Sequence, residues 1–219
     1  NYISFTGARA RATTSPTTDQ APGGMAGVGP WMDRRGAALL AFASPCGPRT
    51  SVSDDGTEGP AGDLSGYTIV DLSSGIAGAY CTRLLADAGA DVVKVEAPEG
   101  DPLRAWSASG AELSGDGALF TFLAGGKQSV VADPENTADV AMVEGLLASA
   151  DAMVWSRGSR IADLPALAAQ AVHDRHPHLV VTSITPFGLD GPWRDKPATE
   201  FTLQAWSGGA IGIGRGSQD

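Results

Sequence analysis

From Asp63 onward, short β-branched runs alternate with stretches whose apolar positions recur at helical spacing, the pattern of successive βαβ units. It predicts strands over Thr68–Leu72, Asp91–Glu96, Gln128–Ala132, Ala152–Trp155 and Leu179–Ile184. Ala77, Cys81, Leu84, Leu85 and Ala88 share one helical face, with Gly89 as the stop. Val140, Val143, Leu146 and Leu147 mark a second helix, and Leu164, Leu167, Ala171 and Val172 a third. The fold class expected is α/β, with an open, mostly parallel sheet and helices on both faces.

Residues 1–62 are different. They hold ten glycines and six prolines in runs such as APGGMAGVGP, without helical or strand periodicity, and are expected to be a disordered or weakly ordered leader. Their one helical patch, Trp31–Ala43, has the character of a docking helix rather than a targeting peptide, because no small-residue cleavage pattern follows a long apolar core. The division expected is therefore a leader over 1–62 and an α/β unit over 63–219. The chain starts at Asn1 rather than methionine, as a fragment, a processed product or a misplaced reading-frame start would; its tail, WSGGAIGIGRGSQD, brings no helix to cover the sheet, so the unit is expected to be an incomplete domain.

Charge narrows the function. Of 219 residues, 25 are acidic and 15 basic, a net charge of −10. Five arginines and five acids cancel within the leader, so the whole excess falls on the α/β part. Nucleic-acid binding is not expected without a basic stripe. No apolar run approaches the length of a membrane span, and no basic amphipathic segment marks surface attachment. Cys46 and Cys81 are too few for a disulfide framework and too far apart for a zinc or redox motif, so a cytoplasmic location is expected, with both as spectators.

The first βα turn is the place for ligand chemistry, since backbone N–H groups and a helix N-terminus can hold phosphate at the carboxyl edge of a parallel sheet. Gly75 and Gly78 give only GxxG, short of the dinucleotide fingerprint in which Glu96 would hold a ribose. The same glycines could equally serve a tight turn and close helix packing. His173, His176 and His178 are read as a solvated helix end before Pro177, not as a metal site. Trp106, Trp193 and Trp206 are expected to pack in a core or interface, with an acyl-binding wall as the lesser alternative.

Five segments in order resemble the family III CoA-transferases, a group that includes formyl-CoA transferase, carnitine CoA-transferase and α-methylacyl-CoA racemase. They are LSGYTIVDLSSGIAGAYCTRLLADAGADVVKVEAPEGDPLR, GGKQSVVAD, SADAMVWSRG, HPHLVVTSITPFGLDGPWRDKP and TEFTLQAWSGG, together running from Leu64 to Gly209. The resemblance implies a Rossmann-like large domain, a homodimer of interlocked chains, acyl-CoA and carboxylic acid substrates, and coenzyme A (CoA) as substrate without a further cofactor or metal.

The same resemblance places a coenzyme site on Ser74, Gly75, Ile76 and Ala77 of the turn, on Ala97, and on Arg104 and Lys127 for phosphate or adenine. Ile76 stands where formyl-CoA transferase has glutamine, so backbone contact is expected there. Arg104 could instead pair with Asp101 or Glu99, and Lys127 could be a solvated surface charge. Where relatives have a phrase like ENFRPG, this chain has WSRGSR. Ser156 and Arg157 stand in for the asparagine and arginine, with Arg160 as an additional cation.

The chemistry implied is nucleophilic catalysis, in which an aspartate attacks the thioester to give a mixed anhydride and CoA thiolate. That aspartate follows the SGG segment by a couple of dozen residues in the family pattern, beyond Asp219, so no catalytic residue is named and the polypeptide of 219 residues is expected to be inactive alone. Racemisation needs a histidine where Thr199 stands, before Glu200, and threonine is no base near neutral pH. Transfer is thus favoured over racemisation; a racemase-like enzyme, a nucleotide-binding oxidoreductase fragment and a non-catalytic CoA-binding or interaction module are the alternatives.

Overall fold

The computed structural model describes residues 2–6 and 62–209. Its elements are β1 (Tyr2–Thr6), β2 (Thr68–Leu72), α1 (Ile76–Asp87), β3 (Asp91–Glu96), α2 (Ala118–Ala124), β4 (Gln128–Val131), α3 (Thr137–Ser149), β5 (Ala152–Trp155), α4 (Ala169–Arg175), β6 (Val180–Thr185) and α5 (Glu200–Trp206). The strands form one sheet in the order β1-β6-β5-β2-β3-β4. All neighbours pair in parallel except β1, which runs antiparallel along β6 with Tyr2 opposite Thr185 and Thr6 opposite Val181.

The alternation of side chains explains the layers. Val70 and Leu72 of β2, with Val93 and Val95 of β3, face Val143, Leu146 and Leu147 of α3 and Val172 of α4 in one buried cluster. On the other face Ile69, Val92 and Val154 pack against Ala77, Cys81 and Leu85 of α1. Helices therefore cover both faces, as the apolar spacing predicted. Three buried charged residues interrupt the strands, Asp71, Lys94 and Glu96, and all three lie on the α1 side.

Four features depart from the sequence reading. Strand β1 lies inside the leader expected to lack regular structure; its aromatic and β-branched residues favour a strand, and β6 offers an edge to pair with. The third expected helix is split, because Pro165 opens a 3-10 turn over Pro165–Leu167 and the backbone returns to extended geometry at Ala168 before α4 begins. Helices α2 and α5 are seven residues each, too short to register as a period. Trp106, Trp193 and Trp206 are exposed, so none fills the core place that was one of the two expected for them; among the described residues the buried tryptophan is Trp155. The patch Trp31–Ala43, Cys46, and the tail from 210 to Asp219 lie outside the described residues.

Candidate functional site at the switch point of the sheet

The chain builds β2, β3 and β4 outward in one direction, then returns to lay β5 and β6 on the other side of β2. The strand order reverses between β2 and β5, and the crevice outside their carboxyl ends is where open α/β sheets bind ligands. Two turns meet there. The turn after β2 carries Ser73, Ser74 and Gly75 into α1, and the turn after β5 carries Ser156, Arg157 and Gly158. One hydroxyl ties them, as Ser156 Oγ accepts from the Ser74 N–H at 2.8 Å and donates to the Ser74 carbonyl at 3.2 Å.

Glycine is required at the heart of this turn. Gly75, the N-cap of α1, has φ 80° and ψ −176°, a region essentially closed to residues with a side chain. Gly78 serves packing instead, since a Cβ there would collide with the Ser73 side chain. Both glycines thus have the turn-and-packing role left open by their spacing. No side chain caps α1 and its first turn holds no acid, so its leading N–H groups and dipole face the crevice.

Ser74, Ile76 and Ala77 line a cleft of about 400 Å³ together with Ser156 and Arg157, and β6 contributes Ile184 and Thr185. Arg194, Asp195 and Lys196 close it from the following loop. The lining holds three cations and one carboxylate, with Lys196 Nζ set over the Trp193 and Trp206 rings at 4.4 and 4.5 Å, a local excess of positive charge on a chain of net charge −10. A smaller cavity of about 90 Å³ lies on the other side of Ser74, lined by Ala97, Gly158 and Arg160 among others. Arg160 is half exposed and pairs with Glu99 at 3.5 Å and Glu135 at 2.9 Å.

Arg104 and Lys127, expected as phosphate or adenine ligands, are placed elsewhere. Lys127 is 3% exposed, and its three N–H bonds go to Ala79 O at 2.8 Å, Thr82 Oγ1 at 2.6 Å and Asp71 Oδ2 at 3.3 Å. An ammonium has three donors, so none is left for a ligand. Nor is it the solvated charge of the alternative reading. Arg104 pairs with neither Asp101 nor Glu99. It grips Glu96 bidentately at 2.6 and 2.7 Å, reaches Asp116 at 2.8 Å, and stacks over Phe120.

Lys127 belongs to a buried polar layer between sheet and α1, and the partly exposed Arg104 joins its rim through Glu96. Lys94 Nζ contacts Asp101 at 2.9 Å and Ser73 O at 2.8 Å. Burial alone would raise the Asp71 carboxyl, but Lys94, Lys127 and the hydroxyls of Ser73 and Thr82 hold it below the usual carboxylate range. Glu96 is likewise held down against burial by Arg104, Ser129 and the Asp101 N–H. With its oxygens taken and its side chain buried, Glu96 cannot hold a ribose, which removes the feature on which a dinucleotide reading rested.

Two other sequence motifs resolve as structure. Thr199 caps α5, exchanging hydrogen bonds with Thr202 in a capping box, so the position that would carry a racemase histidine is a helix cap. His178 is exposed, whereas His176 and His173 are half-buried beside α3, with His176 Nε2 3.6 Å from Glu144 Oε2. Among the described residues no group of three or more His, Cys, Asp or Glu could hold a metal, and no helix is long and apolar enough to cross a membrane. Sequence reasoning missed Arg194 and Lys196, whose place in the cleft depends on how the loop after β6 folds back.

A doubly wound sheet with a cleft at its switch point, lined by Arg157, Arg194 and Lys196, defines an α/β protein. More specifically, the chain belongs to CoA-transferase family III, whose sequence model matches residues 64–219. It is 36% identical over 152 residues to succinate–glutarate CoA-transferase of Agrobacterium fabrum, covering 66% of this chain and 38% of that protein. It is 33% identical to formyl-CoA:oxalate CoA-transferase of Streptomyces avermitilis, covering 66% and 35% respectively. A crystal structure of a CAIB/BAIF family protein from Brucella suis is similar at a TM-score of 0.60 and 31% identity, over 68% of this chain and 40% of that one. The chain thus spans about two fifths or less of the length of these relatives.

Proposed function

We propose that this chain carries the coenzyme-binding part of a CoA-transferase that moves CoA between an acyl-CoA thioester and a carboxylic acid. What supports the reading above all is the cationic cleft at the β2/β5 switch point, where Arg157, Arg194 and Lys196 stand beside the uncapped N-terminus of α1. CoA carries several phosphate charges, and such a cleft supplies both fixed N–H donors and guanidinium groups for them. In this reading the backbone of Ser74, Gly75, Ile76 and Ala77 contacts the coenzyme, Arg157 binds phosphate, and Ala97 and Arg160 line the neighbouring cavity. Ser156 acts through Ser74, because its hydroxyl is already engaged there.

The attacking carboxylate is assigned to the polypeptide that follows Gly209, through a mixed aspartyl anhydride and free CoA thiolate. Arg104 and Lys127 hold the sheet's polar layer together. The assembly in this reading is a cytoplasmic homodimer.

Titration calorimetry of the full-length natural polypeptide with CoA tests the assignment. Saturable binding is expected, weakened at least about tenfold by Arg157→Gln plus Arg194→Gln, the range for losing charge-assisted phosphate contacts. No binding, or binding indifferent to these substitutions, would overturn it. A 2-methylacyl-CoA incubated with the same protein in deuterated water should keep its α-hydrogen, in keeping with Thr199 as a cap; rapid labelling would favour racemisation instead.

A further inference from the structure

Two guanidinium groups converge on one carboxylate inside the cleft. Arg157 Nη1 meets Asp195 Oδ1 at 3.0 Å, and Arg194 Nε meets Asp195 Oδ2 at 2.9 Å. All three side chains line the same cavity, and all are more than half exposed, at 57%, 55% and 60%. Exposed pairs of this kind contribute little, since water competes for both partners and two flexible side chains are immobilised. A phosphate offers more charge and more acceptor oxygens to the same fork of donors. The carboxylate is therefore held firmly enough to organise the arginines and loosely enough to be exchanged.

We propose that Arg157 and Arg194 form a phosphate seat that the Asp195 carboxylate fills in the free protein and gives up when a phosphate group of the coenzyme arrives. The proposal rests on the reading of the cleft as a CoA site. Its consequence runs against a simple contact picture, because removing a residue of the cleft should strengthen binding. With no internal occupant to displace, the seat is open from the start.

The test compares CoA with pantetheine, which lacks phosphate, and with succinate, a simple dicarboxylate, by calorimetry on the full-length polypeptide. Asp195→Asn should bind CoA about two- to fivefold more tightly than the natural protein, the span expected for an exposed ion pair. Pantetheine and succinate should show no such gain. In an Arg157→Gln/Arg194→Gln background, Asp195→Asn should make no difference. Asp190→Asn is the charge control: it removes a carboxylate that acts electrostatically on Arg194 from outside the cleft lining, so any gain should vanish in about 0.3 M salt while part of the Asp195→Asn gain persists.

Unchanged or weaker CoA binding by Asp195→Asn would overturn the seat, as would an equal gain for pantetheine or for Asp190→Asn at high salt. A gain for succinate alone would overturn the phosphate assignment. Failure of Asp195→Asn to fold would also overturn it, since a carboxylate on which folding depends cannot be one that a ligand displaces. If the natural protein binds CoA and the variant does not differ, only the seat falls; if the natural protein does not bind CoA, the assignment of the cleft falls with it.

Discussion

Two groups of cations flank the turn after β2, and their surroundings divide their roles. On the β3–β4 side, Lys94, Lys127 and Arg104 are matched by Asp71, Asp101, Glu96 and Asp116 within a mostly buried layer. On the β5–β6 side, Arg157, Arg194 and Lys196 share a solvent-open cleft with a single acid. Removing a partner from a buried pair leaves an uncompensated charge, whereas removing one from an exposed pair leaves a hydrated side chain. The lesson is that residue type and order do not separate a cation that holds the fold from one that waits for a ligand. Burial and the count of satisfied donors do.

Asp71→Asn should produce the largest effect, a loss of about 3–5 kcal/mol in urea unfolding, because Lys94 and Lys127 lose the carboxylate that justifies their burial. A loss under about 1 kcal/mol would erase the distinction between the two sides. Since the folded Asp71 and Glu96 titrate below their unfolded values, near 3.9 and 4.3, the stability they contribute is present above that range and falls as pH drops through their folded values. Unfolding free energy measured from pH 6 to pH 2 should therefore decline at the acid end, and Asp71→Asn should flatten that decline.

Gly75→Ala sits between the two regions. It should cost about 1–3 kcal/mol of backbone strain and also weaken CoA binding, because the leading turn of α1 would shift. Ser156→Ala should cost about 1 kcal/mol and deprotect the Ser74 amide in hydrogen exchange, the signature of a residue acting through its neighbour. The smallest stability change, within about 0.5 kcal/mol, is expected for Arg157→Ala, which should nonetheless impair CoA binding. A destabilisation of several kcal/mol there would place Arg157 with the buried group instead.

The sheet was legible in the sequence because parallel strands covered on both faces read as near-continuous apolar runs, and four of the five predicted strands start at the residue the pattern marked. Helices α1 and α3 were legible from their spacing. The cleft was legible only in part. Ser74, Ile76, Ala77, Ser156 and Arg157 come together in one cleft, since each follows the carboxyl end of a strand that the pattern located. Arg104 and Lys127 could not be sorted from a motif, because their partners come from other strands and loops. The signal available was Asp71, Lys94 and Glu96 interrupting apolar strands, which calls for buried counter-charges. Arg194 and Lys196 left no trace, because a loop's return path has no periodicity.

The antiparallel pairing of Tyr2–Thr6 along Val181–Thr185 has a consequence for assembly. It covers the outer border of β6 and makes β1 the new terminal strand, so β1 and β4 each have one neighbour among the described strands. Growth of the sheet by a neighbouring molecule therefore has two places to start, Tyr2–Thr6 and Gln128–Val131, where Val131 stands exposed, and a chain shorn of its first six residues would exchange the first of these for the border of β6.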